Sequence, residues 1–263
     1  MKQEILDEIL NQDYTKIKNK ISKFLVDEIN QRNSNGVIFG LSGGIDSSVI
    51  AYLCAQTIKE KSLALIMPDS KVSPKQDTED ALKIVDTLRL EYKLIDINPM
   101  HSSYSRYLEP NELALGNLRA RIRANILYYY ANSKNYLVLG SSDRSEFLIG
   151  YFTKFGDGSA DLLPMVSLYK SQVRKFAENL GVPNNIISKK SSPNLWKGHD
   201  AEEELGATYD EIDSILYCIM DKSKSIEETT GITGIDNKTV DKIYQLYKKS
   251  EHKRITPKKH EWL

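Results

Sequence analysis

Cysteine is nearly missing from this chain of 263 residues, which contains only Cys54 and Cys218. The two lie far apart in the sequence and no C-x-x-C pair occurs, so the spacing supports neither a disulfide framework nor a zinc site. A chain of this length can bury a full hydrophobic core as one large domain, and it does not need such cross-links. We therefore expect a protein of a reducing compartment.

The chain also lacks an excess of charge of either sign, since Lys plus Arg and Asp plus Glu both number 36. A neutral chain has no net field to attract nucleic acid or an anionic membrane, so neither is expected as a partner. No apolar run approaches the roughly 18 residues of a membrane helix. The N-terminus, Met1 to Glu4, has an early acidic residue and no apolar signal region, so a cytoplasmic location is expected.

Two familiar nucleotide-binding loops are absent as well. The chain has no G-x-x-x-x-G-K-[ST], and its glycines at 40, 43 and 44 do not fit G-x-G-x-x-G. Residues 40–47 instead read Gly-Leu-Ser-Gly-Gly-Ile-Asp-Ser, after the apolar run 37–39 and before a segment with helical spacing of apolar residues. This order predicts a strand, a tight glycine turn and a helix N-terminus, an arrangement that binds phosphate.

The composition of this loop specifies the phosphate site further. The adjacent Gly43 and Gly44 let the backbone approach phosphate oxygens, and the hydroxyls of Ser42 and Ser47 can donate hydrogen bonds to them. Asp46 would repel a phosphate unless a cation lay between the two, so it implies Mg²⁺. The alternative is a plain strand-to-helix turn with glycine present for steric reasons, which leaves both serines and the aspartate unexplained.

Short apolar runs alternate with segments of helical periodicity through the first 180 residues. Strands are expected at 37–40, 62–67, 92–97 and 136–139, and helices at 46–60, 76–88, 117–132 and 168–180. The alternation predicts an α/β fold, with a doubly wound, mostly parallel sheet and helices on both faces. Ligands of such sheets bind at the carboxyl ends of the strands, where the 40–47 loop and Ser141 both lie.

We expect a single domain over residues 1–263. Its parts are N-terminal helices in 1–35, the α/β core in 36–180, a mobile segment in 188–206 and C-terminal helices in 207–263. Residues 188–206 are assigned as mobile because they are polar and rich in Ser, Lys and Glu.

Several charged residues outside the loop allow two interpretations. Glu146 follows the fourth strand on the same side of the sheet as Asp46, so it either helps to complete a Mg²⁺ shell or is an exposed helix residue. Arg119 and Arg123 are i,i+4 neighbours, whereas Arg121 points to another face, so the three cannot share one role. Three histidines are expected to be plain surface residues, namely His101, His199 and His260.

Four motifs taken together resemble one family of enzymes. The S-G-G-x-D-S pattern at 42–47 resembles the loop of the ATP-pyrophosphatase superfamily, whose members cleave ATP between its α- and β-phosphates. Gly-Asn-x-x-Ala-Arg-x-Arg at 116–123, the stretch 150–164 and Ser-Glu-His-Lys-Arg at 250–254 follow in order. The set resembles the ammonia-dependent NAD synthetase family over about residues 14–256. This resemblance implies an adenine nucleotide alpha hydrolase-like fold.

The resemblance implies roles for individual residues. The ATP-binding set is Gly40, Leu41, Ser42, Gly43, Gly44, Ile45, Asp46, Ser47, Ser141, Lys170 and Ser192. The deamido-NAD-binding set is Arg121, Lys154, Asp161, His252 and Lys253. Asp46 and Glu146 bind Mg²⁺, and together with Lys170 they form the catalytic group. The chain departs from the family pattern where Ser141 replaces a common Thr and where 192–195 read Ser-Pro-Asn-Leu, although a hydroxyl is kept at both places.

The implied reaction is ATP-dependent amidation of deamido-NAD to NAD with ammonia. The nicotinate carboxylate attacks the α-phosphate of ATP to give an acyl-adenylate and pyrophosphate, and ammonia then expels AMP. No side chain must act as a nucleophile in this scheme. Because no glutaminase-sized extension precedes the loop, the short ammonia-dependent form is expected rather than the glutamine-dependent long form.

The resemblance also implies a homodimer with deamido-NAD sites at the subunit interface. We expect two helical faces to supply more apolar surface than the sheet needs, one with Ile17, Ile21, Phe24, Leu25 and Ile29, the other with Ile122, Ile126, Leu127 and Tyr130. Their use in the core of a monomer is the alternative. A dimer would place Arg121 near the seam between the subunits.

Three other functions share parts of the pattern. A GMP synthetase-like amidating enzyme shares the S-G-G-x-D-S loop but lacks the stretch 151–164 in this form. A tRNA-thiolating enzyme shares the loop too, but such enzymes usually need cysteines or a basic surface. A nucleotide-binding module without catalysis shares the sheet, and it would leave Asp46, Glu146 and Lys170 without a purpose.

Overall fold

The structure is a computed structural model that describes residues 3–257 and 260. Outside the described residues lie 1–2, 258–259 and 261–263. They belong to the predicted ranges 1–35 and 207–263, and the first two belong to the N-terminus for which no signal region was predicted. The described strands are β1 Gly36–Gly40, β2 Ser62–Ile66, β3 Glu91–Leu94 and β4 Tyr136–Leu139. They form one sheet in which all neighbours are parallel.

The strand order creates a crevice at one end of the sheet. The order is β3-β2-β1-β4, so the chain moves outward from β1 on one side and then crosses to the other side. At such a reversal the loops after the two central strands diverge, and ligands bind between them. The crevice here lies at the carboxyl ends of β1 and β4, where the glycine loop and Ser141 were predicted to meet.

Helices cover the sheet and extend beyond it. They are α1 Gln3–Leu10, α2 Tyr14–Gln31, α3 Ile45–Thr57, α4 Lys75–Leu88, α5 Asn98–Ser105, α6 Glu112–Lys134, α7 Arg144–Ile149, α8 Lys170–Leu180, α9 Asn184–Ile187, α10 Ala201–Leu205, α11 Tyr209–Leu216, α12 Ile226–Thr233, α13 Asn237–Lys249 and α14 Glu251–Arg254. A 3₁₀ turn follows α3 at Lys59–Lys61 and a π-helical turn follows α11 at Tyr217–Asp221. Of the described helices, none combines the length and apolar character needed to cross a bilayer.

Alternation along the strands explains why both faces of the sheet are covered. Val37 and Phe39 point to one face and belong to an apolar cluster with α2, α3, α4 and α8, whereas Ile38 points to the other face and packs with residues of α6. A strand that is buried on both sides reads as a continuous apolar run, as residues 37–39 do. The prediction of a doubly wound α/β fold with a parallel sheet is confirmed.

Two predicted boundaries differ from the structure for local reasons. The strand expected at 92–97 ends at Leu94, because the Asp96 carboxylate accepts hydrogen bonds from the backbone N–H groups of Ser70 and Asn98 and so holds the chain in a turn. The helix expected at 117–132 already begins at Glu112, where the Asn111 side chain caps it by accepting from Ala114 N.

The apolar face of α2 is used inside the chain. Ile21, Leu25 and Ile29 are buried in the cluster that covers the sheet, and Phe24 is 38% exposed. On α6, Ile122 is buried in the cluster on the other face, and Ile126, Leu127 and Tyr130 pack against it. The expectation that these faces are surplus to the monomer core was therefore wrong, and they carry no argument for a dimer.

A second apolar cluster lies beside the sheet. It is built from α1 and the helices of the C-terminal third, and its fully buried members include Tyr209, Ile212, Ile215, Val240 and Ile243. A capping box formed by Thr208 and Glu211 starts α11. Helix α8 contacts both clusters, since Val173 and Phe176 lie in the sheet cluster and Tyr169, at its N-cap, lies in the helical one.

Candidate active site

The glycine loop between β1 and α3 is tightly held by its own hydrogen bonds. Ser42 N donates to Ser47 Oγ over 3.1 Å, and the hydroxyls of Ser47 and Ser48 donate to Gly44 O over 3.1 and 2.7 Å. Gly43 has a φ of +83°, and a Cβ built there would lie 2.1 Å from Asp77 O, so only glycine fits. Gly44 caps α3 without any side-chain bond, which leaves the first N–H groups of the helix for an anion.

A cavity of about 500 Å³ opens at this loop, in the crevice between β1 and β4. Its wall contains most of the predicted ATP-binding residues, the predicted metal-binding residue Glu146 and one predicted dinucleotide residue, Lys253. The ATP-binding residues in the wall are Gly40, Leu41, Ser42, Gly44, Ile45, Asp46, Ser47, Ser141 and Ser192. The predicted residues that are not in this wall are Gly43, Lys170, Arg121, Lys154, Asp161 and His252. The structure thus gathers the loop, the residues after β4 and Ser192 around one space.

Lys170 lies directly beneath the cavity at the start of α8 and is fully buried. Its ammonium Nζ is 2.8 Å from Asp46 Oδ1, 2.8 Å from Glu146 Oε1 and 2.8 Å from Asp143 Oδ2. Asp46 and Glu146 keep 22% and 19% of their side chains exposed, whereas Asp143 is buried. One positive charge therefore holds together three negative charges, two of which reach the cavity.

Burial shifts the pKa values of this cluster. Burial, and then the Asp143 carboxylate, raise the pKa of Glu146 well above its usual range, and burial also raises the pKa of Asp143. Burial by itself lowers the pKa of Lys170, but the three carboxylates outweigh it and raise that pKa well above its usual range. Lys170 is thus charged at any physiological pH, and the carboxylates favour an additional cation or proton.

Three residues that position Lys170 were not predicted from the sequence. Asp143 caps α7 through Glu146 N and pairs with the ammonium, so its cap position is the signal that could have revealed it. Asp213 is buried and bonds to Ser145 Oγ and to Ser171 N, and burial raises the pKa of Asp213 to about 7. The Tyr209 ring lies 5.0 Å from Lys170 Nζ.

Three of the predicted dinucleotide-binding residues, Arg121, Lys154 and His252, form a group on the outer surface, beside the cavity. Arg121 is exposed on α6 and donates to Lys154 O over 3.3 Å, and Lys154 Nζ donates to His252 O over 2.6 Å. Lys253 Nζ donates to Gly150 O and to Phe152 O, each over 2.7 Å. Arg119 and Arg123 are directed elsewhere, as predicted, since they bond to Asp69 and to Met67 O.

Asp161 has a structural task in the chain as described. Its carboxylate accepts a hydrogen bond from Val138 N over 2.8 Å, and its own N–H donates to Val138 O over 2.9 Å. These bonds cover the open edge of β4, which has β1 on its other side. Asp161 lies in the same loop as Lys154, but its carboxylate already accepts the hydrogen bond from Val138 N.

The segment predicted to be mobile, residues 188–206, lies across the mouth of the cavity and contains α10. Lys189 Nζ donates to Gly43 O over 3.0 Å and to Asp77 Oδ1 over 2.8 Å, and it lies 2.6 Å from Asp80 Oδ2. Asn194 Nδ2 donates to Asp77 Oδ2 over 3.0 Å. These polar bonds tie the segment to the glycine loop and to α4.

Two of the three histidines expected on the surface are buried, so that expectation was wrong for them. His101 is 5% exposed and bonds to Leu115 O through Nε2. His199 is 6% exposed, lies in the cavity wall and stacks on the Trp196 ring with centroids 3.5 Å apart. His260 is exposed, as expected. Sequence alone gave no apolar periodicity that would have indicated burial of these imidazoles.

The structure combines a parallel sheet, a glycine phosphate loop at its switch point, carboxylates that face the cavity and a buried lysine. This combination defines a nucleotide-binding α/β enzyme. The family model for NAD synthase matches residues 17–257. The chain belongs to the NAD synthase family. The family uses ATP, and its members are ligases. This membership argues against the three alternatives, which were a GMP synthetase-like enzyme, a tRNA-thiolating enzyme and a non-catalytic module.

Individual relatives are similar over nearly the whole chain. The NH3-dependent NAD+ synthetase of Staphylothermus marinus is 49% identical over 256 residues, which cover 96% of this chain and 93% of that protein. A structure of an NMN synthetase from Francisella tularensis has a TM-score of 0.85 and 35% identity, and covers 96% of this chain and 100% of that one. The NH3-dependent NAD synthetase from Campylobacter jejuni has a TM-score of 0.81 and 33% identity, with 95% and 100% covered.

Proposed function

We propose that this chain is an ammonia-dependent NAD+ synthetase, a ligase that converts deamido-NAD to NAD at the expense of ATP. One observation carries the proposal: within a chain of the NAD synthase family, the Lys170 ammonium, Asp46 and Glu146 meet under the glycine loop at the floor of one cavity. The names of relatives up to 49% identical support the same activity.

In the proposed first step the glycine loop holds the phosphates of ATP. The free N–H groups at the start of α3 and the hydroxyl of Ser42 stabilise the negative charge that develops on the departing pyrophosphate. Lys170 adds a fixed positive charge from below. Because Lys170 is buried and held by three carboxylates, its charge is preorganised and needs no solvent rearrangement during the step.

The residues present fit a Mg²⁺ ion. Asp46 and Glu146 offer carboxylate oxygens to the cavity, which are the ligands that this ion prefers, and the cluster has two more negative than positive charges. We assign Asp46 and Glu146 as the residues that would hold it. When bound, such an ion neutralises phosphate charge. Asp143, which is buried behind them, serves to keep Lys170 in place.

The proposed second step needs a cavity that excludes water, because water would hydrolyse the adenylate. Residues 189–196 cover the mouth of the cavity, and their bonds to Gly43, Asp77 and Arg119 close it from one side. Ser192 lies in this wall, with its hydroxyl donating to His199 O. The departure from the family pattern at 192–195 therefore leaves Ser192 in the cavity wall.

The proposal is tested by a product assay with purified protein, ATP, Mg²⁺ and ammonium. With deamido-NAD we expect NAD, AMP and pyrophosphate in equal amounts, and an ATP analogue with an uncleavable bridge between the α- and β-phosphates should inhibit. Primary release of ADP and orthophosphate would contradict it. The deamido form of NMN is compared in parallel, because one structurally similar protein is named NMN synthetase.

We further propose that the working form is a homodimer in which the partner completes the deamido-NAD site. The predicted contacts Arg121 and His252 are exposed on an outer surface, and Tyr129, on the same helix as Arg121, is 68% exposed. A dinucleotide bound there has protein on one side only. A second subunit would cover it.

Light scattering at micromolar concentration should therefore give about twice the chain mass of 29.9 kDa. Introducing a charge with Tyr129→Asp should favour the monomer and raise KM for deamido-NAD, because the interface would have to bury that charge, while ATP binding persists. Phe24→Asp, at an exposed position on α2, serves as the control. A monomer with full activity would contradict the assignment.

Residues 188–206 are proposed to act as a lid that reorders when ATP binds. Lys189 and Asn194 attach the segment to the glycine loop and to α4 through partly buried polar bonds, which can open and form again. Trp262→Phe leaves Trp196 as the only tryptophan, so its fluorescence should change on addition of ATP and Mg²⁺, and protease cleavage within 188–206 should slow. If neither signal responds to the ligand, the segment is not a lid.

A further inference from the structure

His199 occupies an unusual environment in the wall of the cavity. Its side chain is only 3% exposed, and its ring lies almost parallel to the Trp196 ring at 14°. The backbone oxygen of His199 accepts a hydrogen bond from Ser192 Oγ, and both residues belong to the segment 188–206 that covers the cavity. None of the steps described above uses this imidazole.

A carboxylate and a phenol hold one side of the ring. His199 Nε2 lies 2.7 Å from Glu204 Oε2, and the Tyr151 hydroxyl donates to the same oxygen over 2.6 Å. Burial and the Glu204 carboxylate raise the pKa of Tyr151, so the phenol stays protonated and acts as a donor. Because an ionised carboxylate only accepts hydrogen bonds, Nε2 carries the proton in the neutral ring.

The other ring nitrogen is left with a free lone pair. His199 Nδ1 is buried, and it has no hydrogen-bond partner among residues 3–257 and 260. Leaving a buried acceptor unpaired is unfavourable, so such an atom indicates a ligand that supplies the missing donor. Trp196, which stacks on the ring, lies in the same cavity wall. A small ligand with N–H groups supplies the missing donor.

We propose that His199 is the general base that takes the proton from ammonium, with Glu204 as its positioning residue. This inference rests on the proposed function, in which ammonia is a substrate that exists mainly as ammonium at neutral pH. One N–H bond of ammonium breaks and its proton passes to Nδ1. The lone pair so freed forms the C–N bond with the acyl carbon, and the bond from that carbon to the phosphate oxygen breaks as AMP leaves with its electron pair. The nitrogen then still carries one proton more than the amide, and this second proton passes to the departing phosphate of AMP.

The neighbouring charges favour this assignment. Glu204 and Tyr151 face the ring at Nε2. Lys253 lies in the same cavity wall and interacts electrostatically with the Glu204 carboxylate. When Nδ1 takes up the proton, the imidazolium forms next to the Glu204 carboxylate, which stabilises it. A base that is oriented by a carboxylate through its far nitrogen is a common catalytic arrangement.

The test separates the two half-reactions in the full-length enzyme. His199→Gln should reduce amide formation from ammonium at neutral pH by about 100-fold, the scale of a lost general base. Exchange of labelled pyrophosphate into ATP in the presence of deamido-NAD should be unchanged, since adenylation does not involve this proton. Hydroxylamine, which is neutral at this pH and needs no prior deprotonation, should react with the variant at the parent rate. Glu204→Gln should show the same selectivity for the nucleophile with a smaller loss.

His101→Gln removes another buried imidazole outside the cavity and controls for destabilisation, which thermal melting monitors in all variants. Equal loss with ammonium and hydroxylamine, or an undiminished rate with ammonium, would overturn the assignment of His199. If the parent enzyme itself shows no exchange that depends on deamido-NAD, the proposed function fails instead, so the two failures are distinguishable.

Discussion

Replacing Lys170 with methionine is expected to lower both the stability and the activity of the enzyme. The ammonium is the only positive group within 4 Å of the Asp46, Asp143 and Glu146 carboxylates among the described residues, and the site is buried. Removing one partner of a buried ion pair leaves uncompensated charge, which costs about 3–5 kcal/mol. Urea denaturation at neutral pH measures this loss. Turnover should fall by about 100- to 1,000-fold, because a preorganised charge at the departing pyrophosphate is lost.

The stability loss in Lys170→Met should shrink as the pH falls below neutral. The pKa values of Asp143 and Glu146 are raised in the folded chain, and without the ammonium they rise further. A carboxyl with a higher pKa in the folded than in the unfolded state gains stability on acidification, because folding then favours proton uptake. Lys175→Met, on the same helix, is the matched control, since Lys175 and its partner Glu178 are each about half exposed and solvent screens their pair. A pH-independent loss would contradict the charge argument.

Asp46→Asn should abolish most of the activity while preserving the fold. The amide oxygen can still accept the hydrogen bond from Lys170 Nζ, so the cluster keeps its geometry, but one of the two carboxylates assigned to Mg²⁺ loses its charge. We expect turnover to fall by about two to three orders of magnitude. The Mg²⁺ concentration needed for half-maximal rate should rise as well.

Asp27→Asn provides the matched control for Asp46→Asn, because Asp27 is 43% exposed on α2 and pairs only with Lys23 in the described structure. Circular dichroism and thermal melting verify that both variants are folded. A folded Asp46→Asn protein with nearly normal activity and an unchanged Mg²⁺ requirement would refute the role of this carboxylate.

The sheet and the loop were predictable because their signals are local. Each central strand is a short apolar run followed by a breaker, and the glycine loop carries its chemistry within the eight residues 40–47. The juxtaposition of Asp46 and Glu146 followed from the rule that carboxyl ends of parallel strands share one edge. The N-terminal and C-terminal helices were likewise expected from periodicity and caps.

The remaining features depend on contacts between distant parts of the chain. Lys170 was predicted to contact ATP, yet its position between three carboxylates arises only when α8 packs beside the residues after β1 and β4. The burial of His199 depends in the same way on Tyr151 and Glu204. The apolar face of α2 was visible in the sequence, but which surface covers it is decided by packing.

The position of α8 between the two apolar clusters means that the active centre belongs to neither of them alone. Lys170 is fixed from the sheet side by Asp46 and from the C-terminal helices by Tyr209, while Asp213 holds the adjoining backbone. Local unfolding of the C-terminal helices would release the lysine although the sheet stayed intact. Heat would then inactivate the enzyme at a lower temperature than the one that melts its sheet, and recovery on cooling would require only re-docking of the helices.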